Sequence, residues 1–281
     1  MRTRRFSLSL LVTTTVLTVF LSYRAQAQCI PSVVQILPIP EVITSHQGSG
    51  LGFGSGYLWA TTVHPDSKVY KVDPKNGEIV GSYDQSHYTP GVSNVHSLAF
   101  DRVNRLIYNY FYPYGPFYVV DATTFGELRT FAAPGSWIHD ITFDDANQIL
   151  WAVRADSIGN NFIVYKLDPS DGTVLGSFTT PTNAGCPEGL TWDGNSLWIT
   201  ESADGYLYQI DSDQAIADGN CSNAILQKLY LATIGVPFTG RLAFDPTSLW
   251  TSKSPNAFFI GWMFVSPNQP RISKPTAKMV L

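Results

Sequence analysis

Residues 187–202 read PEGLTWDGNSLWITES, with five residues, GLTWD and SLWIT, on either side of a Gly-Asn pair. Apolar residues flanking a two-residue turn signature predict a β-hairpin. With the turn centred on Gly194 and Asn195, Trp192 is expected to face Leu197, and Glu188 to face Glu201. Directly opposed Cβ atoms lie about 5 Å apart and like charges there repel. The pair is therefore expected to tolerate repulsion, hold a proton or flank a cation.

Working outward, the stretch recurs as GLGFGSGYLWATT at 50–62, SLAFDRVNRLIYNYF at 97–111, DITFDDANQILWAVR at 140–154 and RLAFDPTSLWTSK at 241–253. Phe53, Phe100, Phe143, Trp192 and Phe244 become equivalent, 43 to 52 residues apart. The first four copies are followed by a third strand ending in Asp (VYKVD at 69–73, FYVVD at 117–121, IVYKLD at 163–168, LYQID at 206–211), a turn and a fourth strand such as EIVGSY at 78–83. Four antiparallel strands repeated at this period describe a β-propeller blade. No segment has convincing helical periodicity. The fifth copy has a third strand, AFFIGWMFV at 257–265, but its tail carries Pro267, Pro270 and Pro275, whereas SVVQILPI at 32–39 is a strand without a hairpin. The expected fold is all-β: a five-bladed propeller of four-stranded antiparallel blades starting near 50, 97, 140, 189 and 241, closed by the N-terminal strand, which covers exposed sheet edges.

The chain starts MRTRR, continues with an 18-residue run rich in Leu, Val and Thr from Phe6 to Tyr23, and reaches Ala25-Gln26-Ala27. This pattern predicts a signal peptide over 1–27 and a single domain over 28–281; a retained membrane anchor is the alternative. A secreted or periplasmic protein without stable membrane insertion is expected. Cleavage removes four arginines and no acid from a chain of net charge −4, which argues against nucleic acid as partner. Charged residues at 14% and aromatics at 13% suit an exported β domain with many turns.

Of three cysteines, Cys186 precedes a first strand and is expected on the upper face, while Cys221, between strands three and four, is expected on the lower one. Cys29, before the closing strand, falls beside Cys221, and a disulfide between those two is expected if their Cα atoms approach within about 7 Å.

The pairing applied to every copy sets Ser49 with Thr62, His96 with Phe111, His139 with Arg154, Glu188 with Glu201 and Gly240 with Lys253, around the mouth of the central channel. Three successive blades thereby offer His96, His139 and Glu188 at one position. Two imidazoles and a carboxylate can bind zinc, calcium or magnesium if they converge within bonding reach; each alone is an ordinary strand-end residue. The loop YNYFYPYGPFY at 108–118 adds Phe111, Tyr112 and Tyr114, whose flat faces and hydroxyls suit stacking on a ligand; the competing role is packing between blades. HQGSGLGFGSG at 46–56 opens no helix and lacks phosphate-loop spacing, and DSDQAIADGN at 211–220 is calcium-like in composition only. Trp59, Trp151, Trp198 and Trp250 share one repeat position and are expected in the blade core.

Over essentially the whole mature chain these repeats resemble exported bacterial propellers of NHL-like or YVTN-like type. Glu188-Gly189 with Trp192-Asp193 resembles the E-G-P-x-W segment of the gluconolactonase family, which implies a Glu binding a divalent metal. LWITE at 197–201 is similar to the W-F-T-E segments of streptogramin lyases, which implies a metal and a His at a channel mouth. Size and blade number also resemble the plant-type glutaminyl cyclases, whose characteristic Glu follows the first blade's second strand. Here that region reads LWATT, leaving Glu201 as a displaced substitute.

The leading expectation is a recognition or scaffold module that binds a small molecule, peptide or glycan at the upper mouth through Phe111, Tyr112, Tyr114 and Lys253. The alternative is a metal-assisted lactonase or lyase, with His96, His139 and Glu188 holding the ion, Glu201 as base and Arg154 holding an anionic group.

Overall fold

The computed structural model of the 281-residue chain describes residues 30–38, 48–62, 67–85, 95–154, 162–180, 187–201, 205–234, 240–253 and 258–265. Four blades are each built from four consecutive strands in spatial order. The first holds β2 (Gly48–Gly54), β3 (Tyr57–Thr62), β4 (Lys68–Val72) and β5 (Ile79–Asp84). The second holds β6 (Val95–Asp101), β7 (Leu106–Phe111), β8 (Phe117–Asp121) and β9 (Glu127–Phe131). The third holds β10 (Ile138–Asp144), β11 (Ile149–Arg154), β12 (Ile163–Leu167) and β13 (Val174–Thr179). The fourth holds β14 (Pro187–Trp192), β15 (Leu197–Glu201), β16 (Tyr206–Ile210) and β17 (Ile225–Tyr230).

The first and last described strands meet in a further antiparallel sheet where the fifth blade was expected. Its order is β1 (Ile30–Pro38), β20 (Phe258–Val265), β19 (Leu249–Lys253), β18 (Leu242–Phe244). β1 runs antiparallel to β20, with Ile30 opposite Val265 and Pro38 opposite Phe258. The inner strands pack in a closed series: β2 on β6, β6 on β10, β10 on β14, β14 on β18, and β18 on β2. The architecture is an all-β propeller with four-stranded antiparallel blades.

Aspartates set the turns. In the hairpins joining first and second strands, Asp101, Asp144, Asp193 and Asp245 each accept through Oδ1 from the N–H groups two and three residues on, as at Val103 and Asn104, both 2.9 Å. This is the local side-chain bond that makes Asp a turn residue. The other oxygen of Asp193 accepts from Trp198 Nε1 at 2.7 Å, and that of Asp245 from Trp250 Nε1 at 2.8 Å. Turn and blade core are thereby fixed together. The four repeat tryptophans, Trp59, Trp151, Trp198 and Trp250, are all buried, and rings of adjacent blades stack, as Trp151 on Trp192 at 6.2 Å and Tyr108 on Phe143 at 5.2 Å.

One short helix, which no periodicity announced, interrupts the strands at 212–218. Ser212–Asp218 is a helix, α1, inserted between β16 and β17. Asp211 caps it by accepting from the N–H groups of Asp213 and Gln214, and Gly219 ends it at φ 69°, a left-handed position that favours glycine. Beside α1, Cys221 is buried among Val164, Phe178 and Ala215 with its thiol free, so the expected bridge from Cys221 is not made. Its side chain is packed into the core shared by the third and fourth blades, where burial pushes its thiol up to about 12. Cys29 and Cys186 lie outside the described residues, as does the signal-peptide segment 1–27. Among the described residues no helix is long and apolar enough to cross a membrane.

Candidate functional site

The hairpin register holds from Trp192 opposite Leu197 to Gly189 opposite Thr200, and then shifts: Glu201 faces Pro187, and Glu188 is the extra residue of a β-bulge. The expected Glu188–Glu201 opposition is therefore corrected. The same shift recurs one and two blades earlier. His96 is the extra residue between Val95, opposite Phe111, and Ser97, opposite Tyr110; His139 is the extra residue between Ile138, opposite Arg154, and Asp140, opposite Val153. In the first blade the pairing passes from Gly48–Thr62 to Leu51–Ala60, with Ser49 inside the shift. A bulge bends its strand and re-aims the extra residue. It places His96, His139 and Glu188 at equivalent points on the rim of the ring.

The residue that joins them is Arg241, immediately before β18 and only 6% exposed. Its Nη1 donates to the carbonyls of His139 and of Glu188, the latter at 2.5 Å. Its Nη2 lies 3.0 Å from Nδ1 and 3.1 Å from Nε2 of His96. One side chain thus spans from the closing sheet to the second, third and fourth blades. The sequence pattern pointed at its neighbour Gly240; the signal lay one position on, where the repeats carry Ser97, Asp140, Gly189 and Arg241.

The imidazoles are neutral. Burial, then Arg241 and His139, holds His96 well below its usual value; burial, then Arg241, brings His139 down to about 4. A neutral ring has one donor and one acceptor nitrogen. His96 Nδ1 is 3.2 Å from the His139 carbonyl, which can only accept, so Nδ1 carries the hydrogen and Nε2 accepts from Arg241. Next along the chain Asp140 is fully buried. Its Oδ2 accepts from Leu190 N–H at 2.8 Å, while Oδ1 has no hydrogen bond. Burial pushes this carboxyl up to about 7, against the pull of Arg241 and of backbone groups at Leu190, Ile141 and Leu242.

The other expected site residues divide. Tyr112 is half-buried, stacked on His96 at 4.5 Å and edge-on to Trp137 at 5.1 Å. Tyr114 is 74% exposed and lies 6.4 Å from the same Trp137, which the sequence analysis did not select. Phe111 is fully buried against Val95 and Tyr118, a packing role. Arg154 is half-buried and donates through Nε to the Ser136 carbonyl at 3.1 Å. Glu201 is fully buried at the end of β15. Lys253 ends β19, and its side chain is outside those described.

A guanidinium stands among the groups expected to be ligands, one nitrogen of His96 is turned to it, and Glu188 meets it through its carbonyl. Among the described residues, no three His, Cys, Asp or Glu side chains are grouped to hold a metal ion. What the rim offers is a fixed cation hydrogen-bonded to carbonyls and an imidazole, beside a half-exposed aromatic shelf of Tyr112, Tyr114 and Trp137.

No protein-family model matches the chain, and no curated protein matches it in sequence. Among solved structures, the chain is similar to the glutaminyl cyclase of Myxococcus xanthus, with a TM-score of 0.60 and 14% identity over 83% of this chain and 95% of that one. It is also similar to a chain of a nidogen/laminin complex, with a TM-score of 0.51 and 15% identity over 73% of this chain and 72% of that one. At these identities the likeness concerns the fold.

Proposed function

We propose that the chain is an exported, five-bladed recognition module that captures a small molecule, peptide or glycan at its upper mouth. The observation that carries this reading is the aromatic shelf beside Arg241. Tyr112 and Trp137 meet edge to face next to His96, and Tyr114 stands out from them. Aromatic faces held by a rigid scaffold next to a charged group supply the apolar area and orienting contacts of a binding site. The basic start, apolar run and Ala-Gln-Ala ending at residue 27 support export, to the periplasm or outside the cell.

The test is a screen of the mature protein against glycan and peptide arrays, repeated with Tyr112→Ala. A ligand held by the wild type and lost in Tyr112→Ala, while the variant remains folded, is the expected result. A ligand held equally by both proteins places binding elsewhere and refutes the reading.

A second reading draws on the fold likeness to a glutaminyl cyclase, which extends over 95% of that chain, together with the buried carboxyl of Glu201. In such a reaction the amine of an N-terminal glutamine attacks its own side-chain carboxamide, the ring C–N bond forms and ammonia leaves. Glu201 would relay the proton. Ammonia release from a Gln-initiated peptide, abolished in Glu201→Gln, supports this reading; no release removes it.

A further inference from the structure

We propose that the ligand of the upper mouth is a carboxylate, gripped by the guanidinium of Arg241 with its body laid against Tyr112. This deepens the recognition reading and rests on the mouth being the binding face.

The first observation is an unbalanced charge. A buried cation is normally paired, because removing it from water is costly. Arg241 is nearly buried, yet its contacts are two carbonyls and a neutral imidazole. Among the described residues no carboxylate forms an ion pair with it. Asp140 feels its field but makes no hydrogen bond to it: Oδ2 accepts from Leu190 N–H and Oδ1 has no hydrogen bond. The positive charge at the mouth is therefore held in place by carbonyls and an imidazole, with no carboxylate among the described residues hydrogen-bonded to it.

The second observation is the count of donors. A guanidinium has five N–H groups. Both hydrogens of Nη1 go to carbonyls and one of Nη2 goes to His96. Nε–H and the second hydrogen of Nη2 have no acceptor among the described residues. Nε and Nη2 form one edge of the planar fork, the edge that two carboxylate oxygens meet in parallel. A single fixed cation with two open donors matches a monoanion with two oxygens better than a dianionic phosphate.

The third observation is the surroundings. His96 and His139 are held neutral by burial and by Arg241 itself, so they add no second cation. Tyr112 lies over His96, which puts an aromatic face next to the charge. An anionic head and a flat or ring-shaped body are the features this surface can read together.

Two sources of this chemistry, a sugar acid and an acylated amino acid, are separated by paired probes. Galacturonate is titrated calorimetrically beside galactose, and N-acetyltyrosine beside its amide, with wild type, Arg241→Lys and Tyr112→Ala. The expected result is that the acid of one pair binds at least about tenfold more tightly than its neutral partner, and the pair concerned names the source. Arg241→Lys keeps the charge but loses the fork, and is expected to remove that preference. Acid and neutral forms bound equally, with both lost in Tyr112→Ala, would overturn the carboxylate while leaving the mouth as binding face. Binding untouched by either substitution would overturn both readings. No binding by either acid at millimolar concentration would overturn the carboxylate inference. The comparison of acid with neutral form in the wild type stands even if Arg241→Lys does not fold.

Discussion

Arg241 and His96, 145 positions apart in the chain, meet at 3.0 to 3.1 Å across the mouth of the propeller. The contact joins the sheet that unites the first and last described strands to the second blade. The same guanidinium also bonds the rim carbonyls of the third and fourth blades. Arg241 is thus both the charge of the mouth and a brace for the ring.

Arg241→Met is expected to leave two carbonyls and one imidazole nitrogen without their donor. Hydrogen bonds to charged groups are each worth about 1.5 to 3 kcal/mol, and part of that is regained once the cation no longer has to be buried. A net loss of about 2 to 3 kcal/mol is predicted by urea unfolding. A variant as stable as the wild type would contradict the bracing role.

Asp140→Asn is expected to stabilise the protein at alkaline pH. Burial raises this carboxyl from 3.8 to about 7 in the folded state. The folded chain therefore binds more protons than the unfolded chain between those values, and its stability falls as pH rises through that window. The amide keeps an acceptor for Leu190 N–H and cannot ionise. A gain on the order of 1 to 4 kcal/mol above pH 7, shrinking to none near pH 4, is predicted from the shift. Melting temperature against pH for the two proteins checks it; parallel curves would contradict it.

His139→Asn acts in the opposite direction. The folded protein holds this imidazole at about 4, below its usual 6.5, so it resists a proton that the unfolded chain accepts. Stability is present above pH 6.5 and is lost as pH falls toward 4. The wild type is expected to lose melting temperature across that acid window, and the variant to lose less. An identical acid limb in both would assign the loss to other groups.

Gly189→Ala tests the close approach of the fourth blade to the closing sheet. A Cβ on Gly189 would stand 2.8 Å from both Leu242 Cγ and Thr200 Oγ1, and would strike the Gly240 carbonyl. Overpacking of this kind costs about 1 to 3 kcal/mol. Lowered stability is expected, read as an earlier midpoint in urea; an unchanged midpoint would mean that the blades separate freely there.

The periodic features of the blades were legible in the sequence because they follow from local rules. Alternation gives the strands, Asp at the turns gives the hairpins, and one repeated Trp marks the blade core. Trp192 opposite Leu197 could be paired by counting from Gly194 and Asn195. Counting failed at Glu188 because a bulge adds a residue to one strand without a compositional mark. For the same reason His96 and His139 were correctly grouped but wrongly paired. Arg241 was missed because its role is non-local: its partners lie on three other blades. The helix at Ser212–Asp218 had legible ends, Asp211 and Gly219, but its seven residues are too few for a periodicity to emerge.

Metal content of the purified protein, with melting curves in zinc, calcium, magnesium and chelator, tests the central claim most directly. A guanidinium as the fixed charge of the mouth predicts no stoichiometric ion and no shift on chelation. A stoichiometric ion whose stabilising effect vanishes in Glu188→Gln would contradict the account, because the rim would then be a metal site with Arg241 displaced from it.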